Sequence, residues 1–188
     1  MKNPYKEITR IQKQHLTASQ VAIQSALLEL SRNKKIYEIN VKELCQKAAV
    51  ARSTFYAYYQ NIDDLLIEIE NQLLYILIQN NEKIMKREYQ SKEDFLFYKE
   101  TIQFVEENEK VFKLFLIEQP NYRFIKKWKQ AIKYHLFQRK DYISKNDFML
   151  EVIASATISA YSYLLENPQS INYEEVSEII SKVLSTFN

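Results

Sequence analysis

Glycine is absent from this 188-residue chain, and proline occurs only three times, as Pro4, Pro120 and Pro168. The tight turns that punctuate an all-β fold therefore lack most of their usual residues, which favours helices despite the many Ile and Tyr. The single cysteine, Cys45, excludes an intramolecular disulfide and a cysteine-based zinc cluster, and it suits a reducing compartment. The two histidines, His15 and His135, are too isolated to suggest a metal site. The chain has no Gly-rich phosphate loop, no metal-spaced His/Cys cluster and no nucleophile with an evident base, so neither an enzyme nor a cofactor is expected. The longest apolar uncharged stretch, Val152 to Leu165, falls short of the ~20 residues a membrane span needs, and the N-terminus is polar. A cytoplasmic protein without membrane contact is the expectation.

What is present is a hydrophobic fraction of 46%, enough for a packed core, and a charge that is unevenly spread. Residues 1–61 hold 10 Lys/Arg against 4 Asp/Glu, whereas residues 62–188 hold 16 against 20. A basic head on a mildly acidic body suits a polyanion partner, because each phosphate contact releases counterions; a solvated basic surface is the bland alternative.

Periodicity divides the chain into helices, about nine in all, with no internal repeat. Thr17 to Arg32 places Val21, Ile23, Ala26, Leu27 and Leu30 at near-helical spacing, with Thr17 and Gln20 set out as a capping box. Asn40 caps a second, two-turn helix whose inner stripe is Val41, Leu44, Cys45 and Ala48. After a turn at Ala49 and Val50, a third helix turns Phe55 and Tyr59 inward and Arg52, Ser53 and Tyr56 outward. Asn61 caps a long fourth helix with Asp63 and Asp64 in its first turn and a stripe of Leu65, Leu66, Ile69, Leu73 and Ile76. Further helices are expected over Phe95 to Glu107, Glu109 to Gln119, Tyr122 to Lys140, Val152 to Glu166 and Tyr173 to Phe187.

The stretch VKELCQKAAVARSTFYAYYQNIDDLL, from Val41 to Leu66, resembles the head of the tetracycline-repressor-like (TetR/AcrR) transcriptional regulators. Val50, Thr54, Phe55, Tyr56, Tyr58 and the Asp64–Leu65 pair fit that family's turn, recognition helix and following helix start. Ala49 and Ser53 stand where glycines are common, Ala51 replaces a serine N-cap, and Ile62 replaces a lysine that often contacts phosphate. The resemblance implies an all-α fold: a three-helix helix-turn-helix head over residues 1–61, and a helical effector-binding and dimerisation body over residues 62–188.

On that reading Arg52 reads a guanine edge with its forked donors, and Lys42 reaches a base edge or a phosphate. Ser53, Thr54, Tyr56 and Tyr58 offer hydroxyls to the backbone, and Ala57 offers a methyl to thymine or is inert. Without a lysine at position 62, anchoring also draws on the N-terminal arm with Lys2, Lys6, Arg10 and Lys13. One head reads few base pairs, so a homodimer on a pseudo-palindromic operator follows, with heads about 34–36 Å apart.

The resemblance places dimerisation on the last two helices, with Ile153, Ala156, Ala160, Ile179, Val183 and Leu184 as interface candidates. It also implies a small-molecule effector cavity in the body, where Phe104, Phe112, Phe115, Trp128, Tyr134 and Tyr161 are candidate lining residues and plain core is the alternative. Effector binding then releases a repressor from its operator. Two other readings stay open: a regulator or activator of the same fold controlled by a protein partner, and a helical ligand-binding protein or enzyme with a vestigial head.

Overall fold

Polar caps rather than glycines punctuate the fold, because the chain has none of the latter. In the computed structural model, which describes residues 16–85, 93–138 and 146–168 together with Glu175 and Ile179, every regular element is helical. Eight α-helices occur among the described residues: α1 (Ala18–Leu30), α2 (Val41–Lys47), α3 (Arg52–Tyr58), α4 (Ile62–Met85), α5 (Glu93–Glu107), α6 (Glu109–Lys113), α7 (Tyr122–Gln138) and α8 (Asp147–Glu166). A 3-10 turn, Ile36–Glu38, precedes α2, and a π-helical segment, Leu114–Glu118, follows α6. The chain separates into two compact units that divide within α4, at Tyr75 and Ile76. The expected boundary at 61/62 coincides with the start of that helix.

In the first unit the expected caps are present. The Thr17 hydroxyl accepts from the Gln20 amide at 3.3 Å and Gln20 Oε1 accepts from the Thr17 amide at 3.1 Å, closing the capping box. Asn40 accepts from the Glu43 amide and Asn61 from the Asp64 amide, both at 3.0 Å. Ile23, Leu27, Leu44, Phe55 and Leu65 form the fully buried centre, with Ile39, Tyr59, Ile69 and Leu73 around them. Two expectations fail: Val21 is 48% exposed, and Ile76, where the second unit begins, is 39% exposed. The inward position on α1 belongs to Gln20 instead, whose amide has a carboxylate partner, and Leu74 and Leu77 take the buried face of α4.

The second unit is bound by aromatic packing and by capping asparagines. The Asn108 side chain donates to the Phe104 carbonyl at 2.9 Å, where α5 breaks from α6. The helix expected over Glu109 to Gln119 widens after Lys113: the Gln119 amide donates to the Leu114 carbonyl at 2.9 Å and the Asn121 amide to that of Phe115 at 2.8 Å, on either side of Pro120. Asn121 then caps α7 through the Phe124 amide at 3.0 Å. Asn146 caps α8 through Phe148, so this helix begins five residues before the apolar run that marks it in the sequence.

Helices α7 and α8 pair extensively, with Lys133 bonded to Asp147 at 2.9 Å and to Glu151 at 3.1 Å, and Lys129 to Glu151 at 3.1 Å. At 20 residues α8 is long and apolar enough by composition to cross a membrane, yet its inner face, Leu150, Ala154, Ile158, Tyr161 and Leu165, is buried as in a soluble core helix. Of the last expected helix, Glu175 and Ile179 are described, and both are helical.

Candidate nucleic-acid interface

The turn between α2 and α3 sets the geometry of the site. The Val50 amide donates to the Cys45 carbonyl at 3.0 Å and the Ala49 amide to that of Gln46 at 3.3 Å, the paired bonds of a Schellman C-cap. That motif needs a left-handed residue between them, and Ala49 takes the role with φ of 54°. An alanine there costs about 1 kcal/mol relative to glycine. The next residue, Ala51, opens α3 without a side-chain hydrogen bond.

Helix α3 is two turns long and has two distinct faces. Phe55 is fully buried and Tyr59, which ends the helix, is 4% exposed; their rings lie 5.4 Å apart. Tyr56 is 57% and Tyr58 41% exposed, and Arg52, Ser53 and Ala57 also face solvent, while Thr54 is half-buried. Lys42 is exposed on α2. The helix thus exposes five of its six expected reading residues and leaves Phe55 and Tyr59 to hold it.

Cations near this surface fall into two groups. Lys34 pairs with Glu43 at 2.6 Å and Lys47 with Glu29 at 2.5 Å, whereas Lys42 and Arg52 form no ion pair among the described residues. The uncommitted pair is better placed for phosphate or base edges, although exposed ion pairs such as the other two are weak enough to exchange. Buried Cys45 has its thiol pushed up by burial, opposed by the charge of Arg52. The N-terminal arm with Lys2, Lys6, Arg10 and Lys13 lies outside the described residues.

Behind α3 is a polar cluster that periodicity gives no means of finding. Glu68 on α4 accepts from Gln20 Nε2 at 3.1 Å, from Gln24 Nε2 at 3.3 Å and from the Tyr59 hydroxyl. Burial, then the hydrogen bond and charge of Glu68, hold the Tyr59 phenol well above its ordinary range, so it remains a donor.

No family model and no curated protein sequence matches the chain. Solved structures do. A TetR transcriptional regulator from Streptococcus agalactiae superposes with a TM-score of 0.67 at 22% identity, covering 97% of this chain and 99% of its own. A TetR-family regulator from Haemophilus influenzae gives 0.63 at 19% identity, covering 87% and 93%. The FadR regulator of Bacillus subtilis, solved in complex with stearoyl-CoA, gives 0.64 at 17% identity, covering 87% and 96%.

The chain has the TetR-family fold.

In the body of this TetR-family fold, five of the six candidate pocket residues belong to one buried aromatic cluster. Phe112 meets Phe104 at 5.8 Å and Trp128 at 5.6 Å, and Trp128 stacks on Tyr161 at 5.3 Å. Phe115 joins through Phe124 at 5.4 Å, a ring that the sequence reading did not single out although it lies one helical turn before Trp128. Tyr134 is half-buried, with its ring 6.4 Å from that of His135. Tyr161 also lines a partly open cavity of about 210 Å³ with Ile102, Val105, Leu164, Leu165, Pro168 and the carboxylates of Glu106 and Glu109.

The interface candidates separate by face. Ile153 is buried within its own unit, Ala160 is half-buried, and Ala156 and Ile179 are exposed. Val183 and Leu184 lie outside the described residues. On α8 the exposed residues Phe148, Val152, Ala156, Ser159 and Tyr163 follow one another at intervals of three or four, an unbroken stripe of which Phe148, Val152 and Tyr163 were not expected.

Proposed function

We propose that this protein is a homodimeric, sequence-specific DNA-binding transcriptional regulator, acting in the cytoplasm as a repressor released from a pseudo-palindromic operator by a small molecule. The observation that carries the reading is the two-faced α3: aromatic residues hold it from behind while Arg52, Ser53, Tyr56, Ala57 and Tyr58 face outward beside Lys42. Arg52 is the base reader, and Lys42, Thr54 and the two tyrosines position the helix through phosphates. The domain roles follow from residues 1–61 as the reading head and residues 62–188 as the responding body.

Dimerisation is assigned to α8, through exposed Ala156 and half-buried Ala160, together with Ile179, Val183 and Leu184. Small residues at that surface allow a partner helix to approach closely. For the effector, the apolar walls of the cavity beside Tyr161 and the acyl-CoA bound by the Bacillus subtilis neighbour support an apolar ligand.

A gel-shift titration with the DNA upstream of the protein's own gene tests the reading. Wild type is expected to bind it well above a scrambled duplex, and Arg52→Ala and Tyr56→Ala to bind it weakly. Equal binding by all three proteins rules the reading out.

One observation favours a second reading, in which a protein partner controls the same DNA-binding function. The aromatic cluster is packed ring on ring, and the cavity is smaller than the ~300 Å³ at which small-molecule pockets begin.

A further inference from the structure

We propose that Glu68 is a positioning residue for DNA reading: through the Tyr59 hydroxyl, it fixes the end of α3 against α4 and α1. The inference rests on the DNA-binding reading and adds to it a residue that faces away from DNA.

The need for such a residue follows from the build of α3. Seven residues make a helix too short to hold itself, so its orientation depends on what it is tied to. Its entry is a strained turn through Ala49, and its N-cap, Ala51, adds no side-chain bond. Phe55 is its single buried side chain, a pivot near the middle. A helix about 10 Å long that rocks by about 10° on such a pivot moves its ends by roughly 1 Å. That displacement is enough to spoil hydrogen bonds from Arg52 to a base edge.

A second point of attachment removes this freedom, and Tyr59 supplies it. Its ring packs on Phe55, and its hydroxyl donates to Glu68. The carboxylate is itself held by Gln24 and Gln20 of α1. Gln20 is held in turn by Thr17, whose amide and hydroxyl both donate to Gln20 Oε1 at 3.1 Å. A relay of directional bonds thus runs from the cap of α1 through α4 to the last residue behind the reading helix. The three donors to Glu68 are neutral, so the cluster fixes geometry without neutralising the carboxylate.

The test begins by letting wild-type protein select from a pool of random duplexes long enough for two half-sites, with no assumption about the operator. Affinities for the selected duplex and for its scrambled version are then measured alongside thermal unfolding. Tyr59→Phe keeps the ring and removes the hydroxyl. It is expected to unfold within a few degrees of wild type, to bind the selected duplex about tenfold more weakly, and to discriminate less against the scrambled one. Glu68→Leu is expected to give a similar loss, to which adding Tyr59→Phe brings no further loss, since both remove one interaction. Tyr59→Phe carries the test alone if Glu68→Leu does not fold. If Tyr59→Phe binds as tightly as wild type, or loses affinity only in step with a large drop in unfolding temperature, the positioning role is overturned while DNA binding stands. If wild type enriches no duplex, the DNA-binding reading fails and this inference with it.

Discussion

Helix α3 and the buried cluster of the body use aromatic residues in opposite ways. In the head, α3 and its C-cap turn two aromatic side chains in and two out: Phe55 and Tyr59 are buried, whereas Tyr56 and Tyr58 are 57% and 41% exposed. In the body, Phe104, Phe112, Phe115, Phe124, Trp128 and Tyr161 are all buried against one another. An aromatic ring left in water forgoes the burial that makes it the strongest contributor to a core, and under the proposed function the DNA would cover the two on α3. The clustered rings of the body serve its own packing, while Tyr122, Phe148 and Tyr163 outside the cluster are exposed.

The largest effects should come from removing the residue on which each region pivots. Trp128→Ala in the body and Phe55→Ala in the head are each expected to cost about 3–5 kcal/mol, read by denaturant unfolding. The comparison makes a sharper demand as well: exposed Tyr56→Ala should leave stability within about 0.5 kcal/mol while abolishing most DNA binding. A large loss of stability at Tyr56 would mean that its ring belongs to the core after all.

Arg52→Ala comes next. A forked contact to one base is worth about 1–3 kcal/mol of discrimination, so affinity for the operator should fall by roughly ten- to a hundredfold, with tolerance of any base at the contacted position. Lys42→Ala should instead weaken binding to every duplex alike and make the salt dependence shallower. If both variants lose affinity uniformly, α3 grips the backbone and does not read sequence.

A smaller effect separates the two regions by pH. Burial pushes His135, on α7, down to about 4 from an ordinary value of 6.5, so the folded body holds it neutral. The folded value is the lower of the two; stability is therefore full above pH 6.5 and is lost as pH falls towards 4. His135→Gln should flatten that slope in an acid titration followed by tryptophan fluorescence, since Trp128 reports on the body. An unchanged slope would place the acid-sensitive group elsewhere.

What the sequence made legible was mostly local. The caps at Thr17, Asn40 and Asn61 rest on side chains that bond amides three residues ahead, and all three are where the sequence puts them. The two faces of α3 were legible for the same reason, as a helical period of four joins Phe55 to Tyr59. Non-local pairs were not: Gln20 and Glu68 are polar residues facing inward, 48 positions apart, and each looks misplaced until the other is known. A stripe of rings also reads alike whether it lines a cavity or fills it, so Phe112 and Phe115 were candidates for both roles. Ile153 is buried within the single chain, and an apolar period marks burial without saying which neighbour provides it.

The smallest expected effect lies in the turn that launches α3. Ala49 holds φ of 54° to complete the Schellman bonds from Val50 to Cys45 and from Ala49 to Gln46. Its methyl is strained there, while its stiffer unfolded chain partly offsets that cost, so the balance should be modest. Ala49→Gly is expected to raise stability by about 0.5–1 kcal/mol, seen as a higher unfolding temperature of the head. Operator affinity should stay within about twofold of wild type, because the turn's hydrogen bonds are already made. If affinity rose several-fold with stability, the strained turn would be holding α3 away from its reading position. Its geometry, more than the Tyr59 attachment, would then limit the head.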